Sequence, residues 1–279
     1  MIQDYLFFTG INILLAWSVY IILMSGSLSF ANGGFMAMGA YGAGVMTTRY
    51  GWPLWAAVPA AAVLAGLFGS LVSLPALRTR GVYLILVTIG ISYCMVIAIE
   101  SVEFLGGVQG LGGLVGTEPW HVGAVVVATG LGLSLVSRTP LQRILDAVRE
   151  DEHVAASLGV NVIFVKAATF GIGAALAVVA GALYAHYLMF IRPEHFNIIV
   201  SLFMVLYVIL GGVNNFWGSA LGATLMTLLP EFIRALAEWR PTVFGLLVVL
   251  LLLIRPQGLL SFRALTAKAG SRAAVEEER

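Results

Sequence analysis

The 279-residue chain is 60% hydrophobic and 10% charged, with mean hydropathy +0.97 and a formal net charge of +1. That balance excludes a soluble globular domain, a disordered chain and the basic footprint of a nucleic-acid binder. Apolar runs of roughly 20 residues recur along the length, the span that a ~30 Å hydrocarbon core requires.

In chain order the hydrophobic segments lie at about 5–24, 27–48, 52–76, 82–104, 119–136, 167–190, 197–213, 216–236 and 241–255. The expected fold is therefore all-α, a polytopic membrane helical bundle of about nine transmembrane segments, with eight to ten as the range. The first segment follows Met-Ile-Gln-Asp4, which has no positive n-region, so it reads as a retained span. With the N-terminus outside and the C-terminus in the cytoplasm, 11 of the 15 basic residues fall on the cytoplasmic side, as the positive-inside rule favours. The 32 glycines, many in small-xxx-small spacing, suit close helix packing in lipid. Gly106 to Gly113 reads as a flexible or tightly turned outer loop, and Cys94 as a buried small hydrophobe. Residues 1–262 form a single transmembrane domain, followed by a disordered cytoplasmic tail at 263–279.

One stretch breaks the apolar pattern. Seven of the chain's 29 formal charges lie between Arg143 and Lys166. Residues 139–159 are predicted as one amphipathic helix about 28 Å long at 1.5 Å per residue, with the Thr139 hydroxyl as N-cap acceptor, Pro140 at N1 and Gly159 at C′. Leu141, Ile144, Leu145, Val148, Ala155 and Leu158 make its apolar stripe. A lipid-surface helix would carry Lys and Arg on its polar face, and Glu150-Asp151-Glu152 argues against that. The pattern fits a docking element for a soluble partner.

Glu152-x-x-Ala155-Ala156-x-x-Gly159 resembles the cytoplasmic "EAA" loop of bacterial ABC importer permeases. Five further stretches carry the resemblance through the chain: Ser27 to Tyr41, Pro75 to Tyr83, Ala180 to Tyr184, Leu210 to Gly218, and Arg255-Pro256-Gln257-Gly258-Leu259. Together they are similar to the branched-chain amino acid ABC transporter permease family, the LivM-like half of its LivH/LivM pair. The resemblance implies a non-catalytic permease subunit of the bacterial inner membrane. Its expected partners are a homologous LivH-like permease, two ATP-binding subunits and an extracytoplasmic binding protein. ATP would be held by those partner subunits, with no cofactor in this chain. Arg149, Glu150, Asp151, Glu152, Ala155, Ala156 and Gly159 would belong to the ATPase-coupling helix. The implied substrates are branched-chain amino acids, with urea, short amides and small carboxylates as alternatives within the family. Two departures bear on the substrate: Ala31-Asn32 stands where Gly-His is usual, and Asn214-Asn215 where Gly-Ser is usual.

Intramembrane polar groups mark cavities or helix–helix hydrogen bonds. The candidates for a substrate path are Ser27, Ser29, Asn32, Tyr41, Thr88, Asn214 and Asn215. Each also has a structural reading: an interhelical bond for Asn32, an interfacial anchor for Tyr41, bonds to their own helix for Thr88 and neighbouring Ser92, and a turn for Asn214-Asn215. The first half of 27–48 reads as a broken helix, and the Gly211–Gly218 stretch as a second Gly-interrupted segment. Asn32 precedes Gly39-Ala40, and Asn215 precedes Gly222-Ala223, at the same spacing, a faint sign of a parallel repeat. No P-loop, H-E-x-x-H or other metal spacing appears, and every acid lies at a span end, in a loop or at a terminus. An intramembrane enzyme and an ion-coupled secondary transporter are therefore the weaker readings.

Overall fold

The computed structural model describes residues 2–79, 81–114, 116–232 and 245. Its helices are α1 (Ile2–Met24), α2 (Asn32–Thr48), α3 (Leu54–Ala76), α4 (Val82–Ser101), α5 (Pro119–Val136), α6 (Pro140–Glu150), α7 (Glu152–Ser157), α8 (Val162–Leu188), α9 (Ile198–Gly211) and α10 (Phe216–Phe232). Two short strands, β1 (Leu111–Gly112) and β2 (Phe190–Ile191), pair antiparallel. Six described segments are long and apolar enough to cross a bilayer: α1, α3, α4, α5, α8, and α9 together with the turn before it. α10 is a shorter apolar helix, and the 17-residue α2 is lengthened by the non-helical stretch that precedes it. The chain is thus a polytopic helical bundle. Apart from residue 245, the expected ninth segment at 241–255 lies outside the described residues, as does the tail at 263–279.

Contacts between helix ends define two ends of the bundle. At one, Tyr187 near the close of α8 donates to Asp4 of α1, Thr47 of α2 meets His186 at 2.9 Å, and the Thr117 amide donates to the His186 carbonyl at 3.1 Å. The glycine-rich stretch closes the same end as tight turns, leading into β1 against β2. At the other end, α6 and α7 lie beside the loops after α1 and α9 and the start of α8.

Burial separates inner from outer helices. Within their apolar windows α1 is 67% and α8 56% buried, against 33% for α3, 28% for α4 and 17% for α5. The outer helices leave Leu64, Leu67, Leu71, Leu86 and Leu131 exposed, apolar faces suited to hydrocarbon or to another membrane helix. Cys94 is on such a face of α4, exposed and not buried as its apolar surroundings suggest. α8, 27 residues and roughly 40 Å long, is longer than a ~30 Å hydrocarbon core requires.

In lipid, apolarity cannot pull helices together, so backbones must approach closely. At the α2–α8 crossing a Cβ on Gly39 would lie 2.1 Å from the Val178 carbonyl oxygen, and one on Gly181 would lie 2.0 Å from that of Met36. Both obstacles are backbone, so a larger residue must separate the helices. Gly181→Leu should lower stability by ~1–3 kcal/mol or more, a Tm loss of roughly 2–4 °C for each kcal/mol. Gly42→Leu, whose Cβ would meet nothing within 4 Å, should leave Tm unchanged. Thermal unfolding in detergent checks the contrast; equal Tm values for the two variants would refute the crossing.

Candidate functional site

The non-helical residues between α1 and α2 are held within the protein. Ser25, Ser27, Ser29 and Asn32 are each at most 1% exposed. Backbone donors freed by such a break need partners, because hydrocarbon supplies none. Neighbouring helices supply hydroxyls. Phe30 N–H donates to Thr88 Oγ1 of α4 at 3.1 Å, Gly34 N–H to Ser92 Oγ of α4 at 3.0 Å, and Gly33 N–H to Ser201 Oγ of α9 at 3.0 Å. Asn32 Nδ2 donates to Ser18 Oγ of α1 at 2.8 Å, and the Ser25 and Thr169 hydroxyls are 3.0 Å apart. Among the described residues, Asn32 Oδ1 and Ser27 Oγ are buried without a hydrogen-bond partner.

A second break faces the first. After α8, residues 189–197 run as β2 and a 3₁₀ turn (Pro193–Phe196) before α9 begins. Pro193 and Phe196 are buried there, so the chain re-enters the bundle before it becomes helical. Asn197 caps α9, its Oδ1 accepting from Ile199 N–H at 3.0 Å and Val200 N–H at 3.3 Å. Ser201, in the first turn of α9, is the residue that receives Gly33 N–H. α2 and α9 therefore start side by side and run in opposite senses, and their N-termini share one region. This break is not the one expected: the 211–218 stretch is a turn at the end of the bundle, where Asn215 Oδ1 caps α10 by accepting from Trp217 N–H at 3.1 Å.

The charged stretch is two helices, not one. Asp151 is extended (φ −153°, ψ 109°), and its carboxylate accepts from His153 N–H at 2.8 Å and Val154 N–H at 3.1 Å. A residue that caps α7 in this way ends α6, which corrects the continuous helix predicted over 139–159. Thr139 also departs from expectation: its hydroxyl donates back to the Val136 carbonyl and does not cap α6. The predicted C-terminus holds. Gly159 has φ +86°, and the amides of Gly159 and Val160 return to the carbonyls of Ala156 and Ala155, closing α7 as a Schellman motif.

The apolar stripe divides by use. Leu145, Val148 and Ala155 are buried against the bundle, whereas Leu141, Ile144 and Leu158 stay exposed, joined by Val154. Two polar ties fasten the segment. Glu152 pairs with Lys166 of α8, which is 9% exposed. Arg149 Nη2 donates to Asn214 Oδ1 at 3.1 Å and Nη1 to the Val213 carbonyl at 3.3 Å. A Cβ on Gly26 would lie 3.3 Å from Arg149 Cα, so the same residue abuts the start of the first break.

Of the predicted path residues, Ser27, Ser29, Asn32 and Thr88 gather at the first break. Ser29 Oγ accepts from Ala31 N–H, and Thr88 also donates to the Ile85 carbonyl. Ser92 uses its oxygen on Gly34, not on its own helix. Tyr41 is 1% exposed and packs edge-on against Phe196, so it supports the second break and anchors no interface. Asn214 and Asn215 lie apart, in the turn that Arg149 grips. Sequence reasoning missed Ser18, Ser201 and Lys166. Their signal was present: each is a polar residue in an otherwise apolar helix and needs a partner there.

Asp151 ties its acidity to the cap. Acceptance from Val154 and His153 N–H holds its carboxyl below the usual carboxylate range. A lowered folded pKa means the cap is intact above the unfolded value of about 4 and is lost as pH falls through the lower folded value. Hydrogen exchange in detergent should show protection of the 153–154 amides at neutral pH that disappears in acid. In Asp151→Asn that acid step should vanish; the same acid loss in the variant would refute the cap.

The chain matches the family model described as "branched-chain amino acid transport system / permease component" over residues 1–255. It is 31% identical to the high-affinity branched-chain amino acid transport system permease protein LivM of Escherichia coli K12, covering 97% of this chain and 72% of that protein. It is 26% identical to the probable LivM permease of Methanocaldococcus jannaschii over 73% of this chain and 67% of that protein. The E. coli permease LivH is 32% identical across 41% of this chain and 37% of its own length. No solved structure matches it. A bundle of membrane-crossing helices and a match along almost the whole chain agree, and the protein belongs to the permease component family of branched-chain amino acid transport systems.

Proposed function

We propose that this chain is one of two transmembrane subunits of an ATP-driven importer of branched-chain amino acids in the bacterial inner membrane. The LivM and LivH relatives support a second, homologous permease as its partner. Two ATP-binding subunits would hold the nucleotide, and an extracytoplasmic binding protein would deliver the substrate. The N-terminus is outside, and α6 and α7 face the cytoplasm, in keeping with the distribution of Arg and Lys.

The observation that carries this reading is the position of Arg149. It holds the turn after α9 through Val213 and Asn214 while its backbone abuts Gly26 at the first break. A force applied to α6 and α7 by closing ATPases would reach both places directly. The Glu152–Lys166 pair passes the same displacement to α8, which packs against α1, α2 and α3. Bundles respond to such a force as rigid bodies that rock between two packed arrangements. The docking surface is the part of the stripe that the bundle leaves uncovered, with Leu141, Ile144, Val154 and Leu158 as apolar anchors for a groove.

Val154 and Leu158 are 56% and 76% exposed, so charging them leaves the bundle's own packing intact. The double variant Val154→Asp/Leu158→Asp should cut co-purification of the ATP-binding subunit by about ten-fold or more, as expected for anchors worth ~2 kcal/mol. Recovery of the second permease should not change. Undiminished ATPase recovery, with binding-protein-stimulated hydrolysis at the wild-type level, would refute the docking assignment.

A further inference from the structure

Between α4 and the start of α9 lies a cavity of about 230 Å³. Its lining includes Ser92, Ile97, Glu100, Glu194, Phe196 and Asn197. At ~30 Å³ per water it has room for roughly seven or eight waters, or for one small solute of about that many non-hydrogen atoms, and it is below the ~300–1,000 Å³ of drug-sized pockets. Its chemistry is divided. Two carboxylates, Glu100 at the close of α4 and Glu194 in the 3₁₀ turn, lie on its wall. Ionised carboxylates facing hydrocarbon are costly, so this wall meets water or a cationic group and not lipid tails. Ile97 and Phe196 supply apolar surface.

The deep side differs. Ser92 is 3% exposed, and its oxygen accepts from Gly34 N–H. Among the described residues its hydroxyl proton meets no acceptor, so it can donate into the cavity. Asn197 Oδ1 is occupied in capping α9, which leaves its Nδ2 as a donor. The start of α9 lines this side through Asn197 and Ile198, and a helix N-terminus carries partial positive charge. Such a helix end facing a cavity suits an anionic substrate group.

We propose that this cavity receives an aliphatic α-amino acid, with its ammonium toward Glu100 and Glu194, its carboxylate toward Ser92, Asn197 and the N-terminus of α9, and its side chain against Ile97 and Phe196. The assignment rests on the importer reading above and adds a substrate position within this chain. A solute lacking either charge leaves one end of the cavity unmatched, so the site selects a zwitterion. The floor residue Ser92 also holds Gly34 of the first break, which joins occupancy to the break's own hydrogen bonds.

Two measurements on the reconstituted complex of both permeases, ATPases and binding protein test it. Glu100→Gln/Glu194→Gln should reduce leucine uptake by about ten-fold or more, the loss expected when charge-assisted hydrogen bonds are removed, while the ATPases and the second permease still co-purify with the chain. Separately, Ile97→Cys in a Cys94→Ser background should react with a maleimide, and leucine should protect it, whereas the keto-acid analogue without the ammonium should not. Labelling that is identical with and without leucine overturns the proposal, as does wild-type uptake by the double variant. The labelling leaves both carboxylates in place, so it decides the question even where the charge variant does not assemble. A wild-type chain that recruits no ATPase and supports no uptake removes the importer reading itself; intact import with an unprotected cysteine removes only the cavity assignment.

Discussion

The structure depends on supplying hydrogen-bond partners to backbone that is not helical inside a bilayer. Between Ser25 and Gly34 the chain gives up its own ladder, and hydrocarbon offers nothing in return. Thr88 and Ser92 of α4 and Ser201 of α9 accept the freed amides, while Ser18 of α1 receives the Asn32 side chain. Each hydroxyl fixes the depth of one helix relative to the break. The same bonds keep two helix N-termini side by side. A bundle held in this way has a few discrete polar contacts among many interchangeable apolar ones, and those contacts set its register.

The charged end of the bundle is built on the same logic with different chemistry. Outside the hydrocarbon, charges replace hydroxyls: Glu152 holds Lys166, and Arg149 holds the Val213–Asn214 turn. Asp151 divides the segment into two helices, which lets α6 follow the loops at 26 and 213–214 while α7 turns toward α8. In one straight helix, the stripe from Leu141 to Leu158 would form a single face. The bend commits Leu145, Val148 and Ala155 to this chain and leaves the remainder for a partner.

The helices were legible from apolar length, because a bilayer fixes how long a span must be. Gly159 was legible as a helix end because its φ of +86° strains other residues. The first break was legible too, since Ser, Asn and Gly cluster densely between Ser25 and Gly34. The second break was not. Arg192-Pro193-Glu194-His195 reads as an ordinary short loop between spans, and its re-entry is set by β1 pairing and by Tyr41 packing on Phe196, both distant in sequence. Asp151 was hidden for a related reason. A helical pattern continues across it, and only the geometry shows that its carboxylate serves the amides ahead of it and not the solvent. Ser201 and Lys166 were visible as polar residues, but their partners, Gly33 and Glu152, follow from tertiary contact alone.

The central claim is that Arg149 couples the segment on which ATPases would act to the breaks within the bundle. The most direct measurement is the number of ATP molecules hydrolysed per amino acid imported by proteoliposomes carrying Arg149→Ala. Removing a residue on a coupling route changes coupling by ~0.5–2 kcal/mol, so the ratio should rise by at least about two-fold while ATPase recovery with the complex stays at the wild-type level. A ratio equal to that of the wild type, with assembly intact, would contradict the account.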